Sequence, residues 1–392
     1  MISQRSLFLN HLAQTSDAPL ALEIVKAKGS YMFDKDGQKY LDLISGISVS
    51  NIGHCHPKVV KAAQEQLKKY MHLMVYGEYI QSPQVILAKT LSDLLPDNLN
   101  STYFVNSGSE AIEGAMKLAK RYTGRHEIIA FKNAYHGSSN GSLSIMGNES
   151  FKQSFRPLLP GIKFLDYNNE TQLSEITKKT AAVFAETIQG EAGVVLPENN
   201  FLQKLQKRCN ETGTLLILDE IQTGFGRTGK MFGFENFDVI PDIITIAKGM
   251  GGGMPIGAFI SSKEIMSSFT NNPILGHITT FGGHPVSCAA AMANIDVIIN
   301  ENLLDAVAEK EKLFKNLLVH KKIKEVKGRG LLLSVEFENF ETLKPIIDRC
   351  VNDGVIVDWF LFADNCMRIA PPLNITNRQI INACKIIKSN II

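Results

Sequence analysis

The sequence predicts an α/β protein with a mainly parallel sheet, joined to a smaller α+β module. Three observations carry this expectation: short apolar runs between residues 100 and 295, amphipathic helical segments between those runs, and a change of texture beyond residue 296. The runs TYFVN, EIIAF, AAVFAE, TLLILD and ITIA are continuously apolar, as strands are when both faces of their sheet are covered. The segments EAIEGAMKLAKRY and NFLQKLQKRCNETG separate them with helical spacing, which favours a parallel sheet with crossover helices.

Ahead of this region, IVKAKGSYMFDKDGQKYLDL alternates apolar and polar residues around Asp34-Lys35-Asp36-Gly37, predicting a hairpin. A glycine-containing loop around Gly46 and Gly53 follows, and Pro57 opens the helical stretch PKVVKAAQEQLKKY. Beyond residue 296 come a lysine-rich helix (ENLLDAVAEKEKLFKNLL), the strand GLLLSVEF, the helix TLKPIIDRCVNDG, the strand-like VIVDWF, and a last helix from Arg378. The expected division is an arm and ribbon over 1–50 belonging to the small domain, a large domain over 51–295, and the rest of the small domain over 296–392.

With 392 residues, 44% of them hydrophobic, the chain can bury a core large enough for two domains. Lys plus Arg number 41 against 39 Asp plus Glu, a net charge of +2, which gives no general drive toward nucleic acid or an anionic membrane. No stretch approaches the ~18 apolar residues that mark a spanning helix, and the N-terminus has no long apolar core. The six cysteines are scattered without zinc-site spacing and read as reduced thiols, so a cytoplasmic location is expected. His54, His56, His136 and His284 sit on separate loops with no H-E-x-x-H pattern, so no metal site is expected.

Two segments carry chemistry. In VNSGSEAIEGAMKLAK a strand end runs through Ser107-Gly108-Ser109 into a helix, where small residues beside free N–H groups can cradle a phosphate. Taken alone this turn reads equally well as an ordinary strand–helix junction. In TLLILDEIQTGFGRTGKM, Asp219 ends an apolar strand, where a carboxylate is costly without a partner. Lys248 ends another apolar run, with four glycines in the next five residues. An amine there is a structural charge, a phosphate neighbour, or a group poised to form a Schiff base. Pyridoxal 5′-phosphate (PLP) needs the whole set: a lysine for its aldehyde, an acid for its ring nitrogen and donors for its phosphate.

With these residues in view, the sequence resembles the class III (subgroup II) aminotransferases of fold type I, and among them the acetylornithine and ornithine aminotransferases. The resemblance runs from SGISVSNIGHCHP through LILDEIQTGFGRTGKM and AKGMGGGMPIGA to TTFGGHPVSCAAA and MRIAPPLNIT. It implies a seven-stranded, mainly parallel sheet with a smaller α+β domain, a PLP cofactor, and transamination from an amino-acid or amine donor to a 2-oxo acid. It also implies a homodimer with shared active sites.

Carried onto this chain, the resemblance gives Lys248 the covalent link to the cofactor and the proton transfers. Asp219 pairs with the ring nitrogen, Gly108 and Ser109 bind the phosphate, and Tyr135 lies against the ring, with His136 in the cofactor shell. Gln222 sits near the phenolic oxygen, and Thr280 reaches the phosphate of the neighbouring subunit. Glu186 stands beside the cofactor, orienting Gln222 or shaping the ring environment. Arg368 takes a substrate carboxylate, and Glu191 pairs with it while an ω-amino donor is bound. Two departures stand out. Ser138 follows Tyr135-His136-Gly137 where the ornithine-type enzymes usually carry an arginine for the donor's distal carboxylate, and Thr187 replaces the usual proline before Ile188-Gln189-Gly190. Losing a charged clamp typically costs about 2–5 kcal/mol in binding. The expected reaction is therefore transfer of a terminal amine, from an ω-amino acid or diamine-like donor, to 2-oxoglutarate. Acetylornithine aminotransfer proper, or another fold type I reaction such as that of an aminomutase, is the alternative.

Overall fold

A computed structural model describes residues 3–392. The N-terminal ribbon has three strands, β1 (Ile24–Lys28), β2 (Tyr31–Asp34) and β3 (Lys39–Asp42). The expected hairpin around Asp34–Gly37 is the β2–β3 turn, which the Asp34 carboxylate closes by accepting from the N–H groups of Asp36 and Gln38.

The large sheet contains β4 (Ser101–Val105), β5 (Glu127–Phe131), β6 (Ile162–Leu165), β7 (Thr180–Glu186), β8 (Leu215–Asp219), β9 (Ile243–Ile246) and β10 (Gly257–Ser261). Its order is β4-β10-β9-β8-β7-β5-β6, seven strands in all. The run from β9 to β6 is parallel, while β10 lies antiparallel to both its neighbours. Successive side chains point to opposite faces. In β8, Leu215 and Ile217 enter one apolar cluster, and Leu216 and Leu218 enter the cluster on the other side. Both faces are covered, which is why these strands lack alternation in the sequence.

The C-terminal part adds β11 (Glu325–Arg329), β12 (Leu332–Glu336), β13 (Val355–Ile356), β14 (Asp358–Phe360) and β15 (Ala363–Ile369). Strands β11, β12, β15 and β14 form an antiparallel sheet, while β13 pairs parallel with β3 of the ribbon. The segment VIVDWF is thus not one strand: it leaves the ribbon sheet at Ile356 and enters the C-terminal sheet at Asp358. Strands β6, β10, β11 and β15 were not individually legible. Their short or polar-interrupted runs, such as EVKGR and ADNCMRI, owe their strand state to pairing with neighbours. The lysine-rich helix begins only at Val307, after turns over residues 301–306.

Candidate active site

Register places two carboxylates side by side. Glu186 ends β7 and Asp219 ends β8, and they are direct partners across the parallel pair. Lys248 follows the end of β9 on the same rim, the carboxyl-end edge where open α/β sheets bind ligands. These side chains line a cavity of about 400 Å³ together with Gly108, Ser109, Tyr135, His136 and Gln222. Eight of the twelve residues singled out in the sequence therefore meet at one place.

Asp219 is buried and satisfied from two directions. One oxygen accepts from the Ile221 N–H at 3.0 Å, and the other lies 2.7 Å from His136 Nδ1. His136 Nε2 is buried with no partner among the described residues. Burial raises the Glu186 carboxyl to about 7, with Asp219 adding to the rise and His136 opposing it. Its oxygens accept from the backbone N–H groups of Tyr135 (2.9 Å) and Gly190 (2.8 Å). Glu186 therefore fixes two loops of the cavity wall. The expectation that it orients Gln222 is corrected: Gln222 Nε2 donates to Glu191 instead, at 2.9 Å.

Lys248 has φ +40°, in the left-handed region that a side chain rarely adopts. The turn is held from behind by Asn294, whose amide donates to the carbonyls of Gly249 (2.8 Å) and Met250 (3.1 Å). A Cβ at Gly249 would stand 2.4 Å from Asn51 Nδ2, so this glycine is required by close packing. The Lys248 amine forms no ion pair among the described residues. Burial lowers it to about 8, against the opposing pull of Glu191 and with help from Arg368. A lysine so placed has a sizeable neutral fraction near neutral pH, the form that attacks an aldehyde.

The cavity fits PLP on several counts. The helix Gly108–Thr123 opens on it with unpaired N–H groups, its N-cap Ser107 accepting from Glu110. A Cβ at Gly137 would collide with Ser109 Oγ at 2.2 Å, so the loop carrying Tyr135 and His136 packs directly on this helix start. Gln222 Oε1 is a buried acceptor without a partner among the described residues, on the cavity wall where it can accept a hydrogen bond from a phenolic hydroxyl. The donor set is therefore complete: helix N–H groups for a phosphate, a carboxylate for a ring nitrogen, and an unpaired amine for an aldehyde. No group of acidic, histidine or cysteine residues suited to a metal ion occurs among the described residues.

Beyond the cavity wall, Arg368 and Glu191 meet fork to fork. Nη1 donates to Oε1 at 2.8 Å and Nη2 to Oε2 at 3.0 Å, with both side chains almost fully buried. Burial alone would raise the Glu191 carboxyl, but Arg368 holds it down at about 2. Ser138 is exposed, with Oγ 3.2 Å from the Tyr135 hydroxyl. Thr280 is exposed as well and does not line the cavity of its own chain; its carbonyl lies 2.7 Å from His72 Nε2. The second departure has a structural counterpart. Thr187 Oγ1 donates to the fully buried Glu220, whose carboxylate also accepts from Thr223 Oγ1 and the N–H groups of Gly233 and Phe234.

Sequence reasoning missed Asn294, Asn51 and Asp358. Asn294 and Asp358 stand as polar residues within otherwise apolar runs, but the partners of Asn294 and Asn51 lie far along the chain and that of Asp358 is set by the register of a hairpin. The His136–Asp219 pair, 83 positions apart, could be assigned to one shell but not to each other.

The model of the family described as "Aminotransferase class-III" matches residues 12–391. A protein of Methanopyrus kandleri named acetylornithine aminotransferase is 41% identical over 337 residues, covering 85% of each chain. A Methanocaldococcus jannaschii protein of the same name is 40% identical, covering 92% of this chain and 91% of its own. Among solved structures, an ornithine aminotransferase from Toxoplasma gondii, described with PLP at its active site, superposes with a TM-score of 0.92 at 28% identity, over 98% of this chain and 92% of its own. The length of these matches makes the chain a member of the class-III aminotransferase family, a PLP-dependent aminotransferase of fold type I.

Proposed function

We propose that this aminotransferase moves the terminal amine of an ω-amino acid or diamine-like donor to 2-oxoglutarate, giving an aldehyde and glutamate. The observation that carries this reading is the closed Arg368–Glu191 fork beside the Lys248 cavity. With the arginine occupied by the protein's own carboxylate, an amino acid is not drawn in by its α-carboxylate, and a terminal amine reaches the reacting centre instead. When Glu191 turns away, the same fork receives the carboxylate of the oxo acid. The relatives named acetylornithine aminotransferase support a donor of this general shape. Ser138, a hydroxyl where a guanidinium is usual, argues against a donor held by a distal carboxylate.

In this proposal Lys248 binds the cofactor and then, once released, carries a proton between two carbons as base and acid. Bound PLP supplies an electron-withdrawing ring that absorbs the charge left on the substrate carbon. Asp219, steadied by His136 and the Ile221 N–H, keeps the ring nitrogen protonated. Gly108 and Ser109 hold the phosphate, Tyr135 covers the ring, and Gln222, itself held by Glu191, meets the phenolic oxygen. Glu186 shapes the wall between them, and Thr280 serves the neighbouring subunit of a homodimer. The same reading places the enzyme in the cytoplasm and divides it into a large domain over 51–295 with a small domain from 1–50 and 296–392. Apolar clusters centred on residues 52–298 and on residues 40–43 with 307–391 support that division, with a small cluster of Ile188, Val194, Leu332, Phe360 and Cys366 joining the two parts. No described helix is long and apolar enough to cross a membrane.

A donor screen tests the reading. Terminal amines of ω-amino acids or diamines, with 2-oxoglutarate as acceptor, are expected to give the highest kcat/KM. A clear preference for acetylornithine over donors that lack its distal carboxylate would overturn the reading of Ser138 in favour of acetylornithine aminotransfer proper, and pyruvate as the better acceptor would overturn the choice of 2-oxoglutarate.

A further inference from the structure

Arg368 has more partners than Glu191. Its Nε donates to Asp358 Oδ1 at 3.0 Å, and its Nη2 lies 3.4 Å from the Trp359 carbonyl. Its guanidinium carbon stands 4.5 Å from the Phe360 ring centroid. These contacts all come from β14, where Asp358 is the direct cross-strand partner of Arg368 on β15. The register of one antiparallel pair therefore aims the carboxylate at the guanidinium. The next two residues hold the other half of the fork: the Leu361 N–H donates to Glu191 Oε2 and the Phe362 N–H to the Glu191 carbonyl, each at 3.0 Å.

The two carboxylates on Arg368 are not equivalent. Glu191 occupies the Nη1/Nη2 edge, which presents two parallel donors for a bidentate pair with a carboxylate. Asp358 occupies the Nε corner, which an incoming carboxylate on the Nη edge leaves undisturbed. When Glu191 departs, an arginine free to rotate about its long side chain would lose its alignment. Here Asp358 at one corner and Phe360 against one face still hold the plane.

We propose that Asp358 is a positioning residue that pins Arg368 by its Nε, so that the Nη edge alone is exchanged between Glu191 and the carboxylate of an oxo acid. This rests on the reading that Arg368 receives that carboxylate. Asp358 touches neither substrate nor cofactor; it acts through Arg368. Its side chain is 26% exposed and belongs to none of the apolar clusters.

The test is calorimetric binding of glutarate, an unreactive dicarboxylate, to the PLP-loaded enzyme, alongside KM and kcat for 2-oxoglutarate. Asp358→Ala is expected to weaken glutarate binding about tenfold, with the loss in turnover falling on KM for the oxo acid. Asp358→Asn keeps an acceptor for Nε and is expected to restore binding to within about twofold of the parent. Arg368→Lys, which removes the fork, is the control for the underlying reading. If Arg368→Lys loses glutarate while Asp358→Ala binds it as the parent does, the positioning role is overturned and the reading of Arg368 stands. If Asp358→Asn is as weak as Asp358→Ala, position is not what Asp358 supplies, and the proposal falls. Glutarate binding that survives Arg368→Lys overturns both. Should Asp358→Ala fail to fold, Asp358→Ser, too short to reach Nε, carries the same expectation.

Discussion

Arg368 and Glu191 lie 177 positions apart, yet they close on each other through two hydrogen bonds of 2.8 and 3.0 Å in a nearly dry setting. Removing the Glu191 charge leaves the buried Arg368 compensated only by Asp358 at its Nε corner, with the Nη edge unpaired. Glu191→Gln keeps the shape but removes the charge, so Arg368 becomes open to a substrate carboxylate. The ratio of kcat/KM for glutamate to that for the terminal-amine donor is expected to rise about tenfold, ~1.4 kcal/mol of discrimination. Steady-state kinetics with both donors checks this.

Ser138 is exposed and close to the Tyr135 hydroxyl, where a longer side chain can extend without displacing the core. Ser138→Arg is expected to raise kcat/KM for acetylornithine by at least about tenfold, since a guanidinium there clamps the carboxylate remote from the reacting amine. A donor series with and without that carboxylate provides the comparison.

Asp219→Asn removes the charge that keeps the ring nitrogen protonated while leaving a side chain of the same size beside His136. The donor half-reaction is expected to slow by about a thousandfold, ~4 kcal/mol in barrier, with PLP still bound. Single-turnover absorbance kinetics separates this from simple loss of cofactor.

The Lys248 amine is lowered to about 8 by burial. Only the neutral amine attacks an aldehyde, so the protonated fraction, dominant well below that value, is unreactive. Adding PLP to cofactor-free enzyme should therefore give a rate of covalent capture that rises with pH and levels off above about 8. An exposed lysine, with its ordinary pKa near 10.4, would keep rising well past that point. Stopped-flow absorbance over the alkaline range distinguishes the two.

Much of the architecture could be read from the sequence because the central strands are buried on both faces. Runs such as AAVFAE and TLLILD are too short and too continuously apolar for a surface helix, which favours buried strands, and each ends on the carboxylate that reaches the cavity. Local motifs likewise located Ser107–Ser109 and Lys248. What the sequence withheld depends on strand register and on tertiary pairing. The edge strand β14 is three residues long and gains its place from β15, so Asp358 could not be aimed at Arg368 before the register was known. For Glu186 the sequence leaves two roles open, and only the fold shows that Gln222 is held by Glu191 while Glu186 receives the N–H groups of Tyr135 and Gly190.

The account turns on the covalent bond between Lys248 and the cofactor. Borohydride reduction of the PLP-loaded enzyme, followed by peptide mapping with mass spectrometry, fixes that bond in place and locates it. The predicted result is a single pyridoxyl-labelled tryptic peptide, Met231–Lys263, with the added mass on Lys248, and no label in Lys248→Ala. A label carried by another lysine in the parent enzyme, or one that persists in Lys248→Ala, would contradict the account.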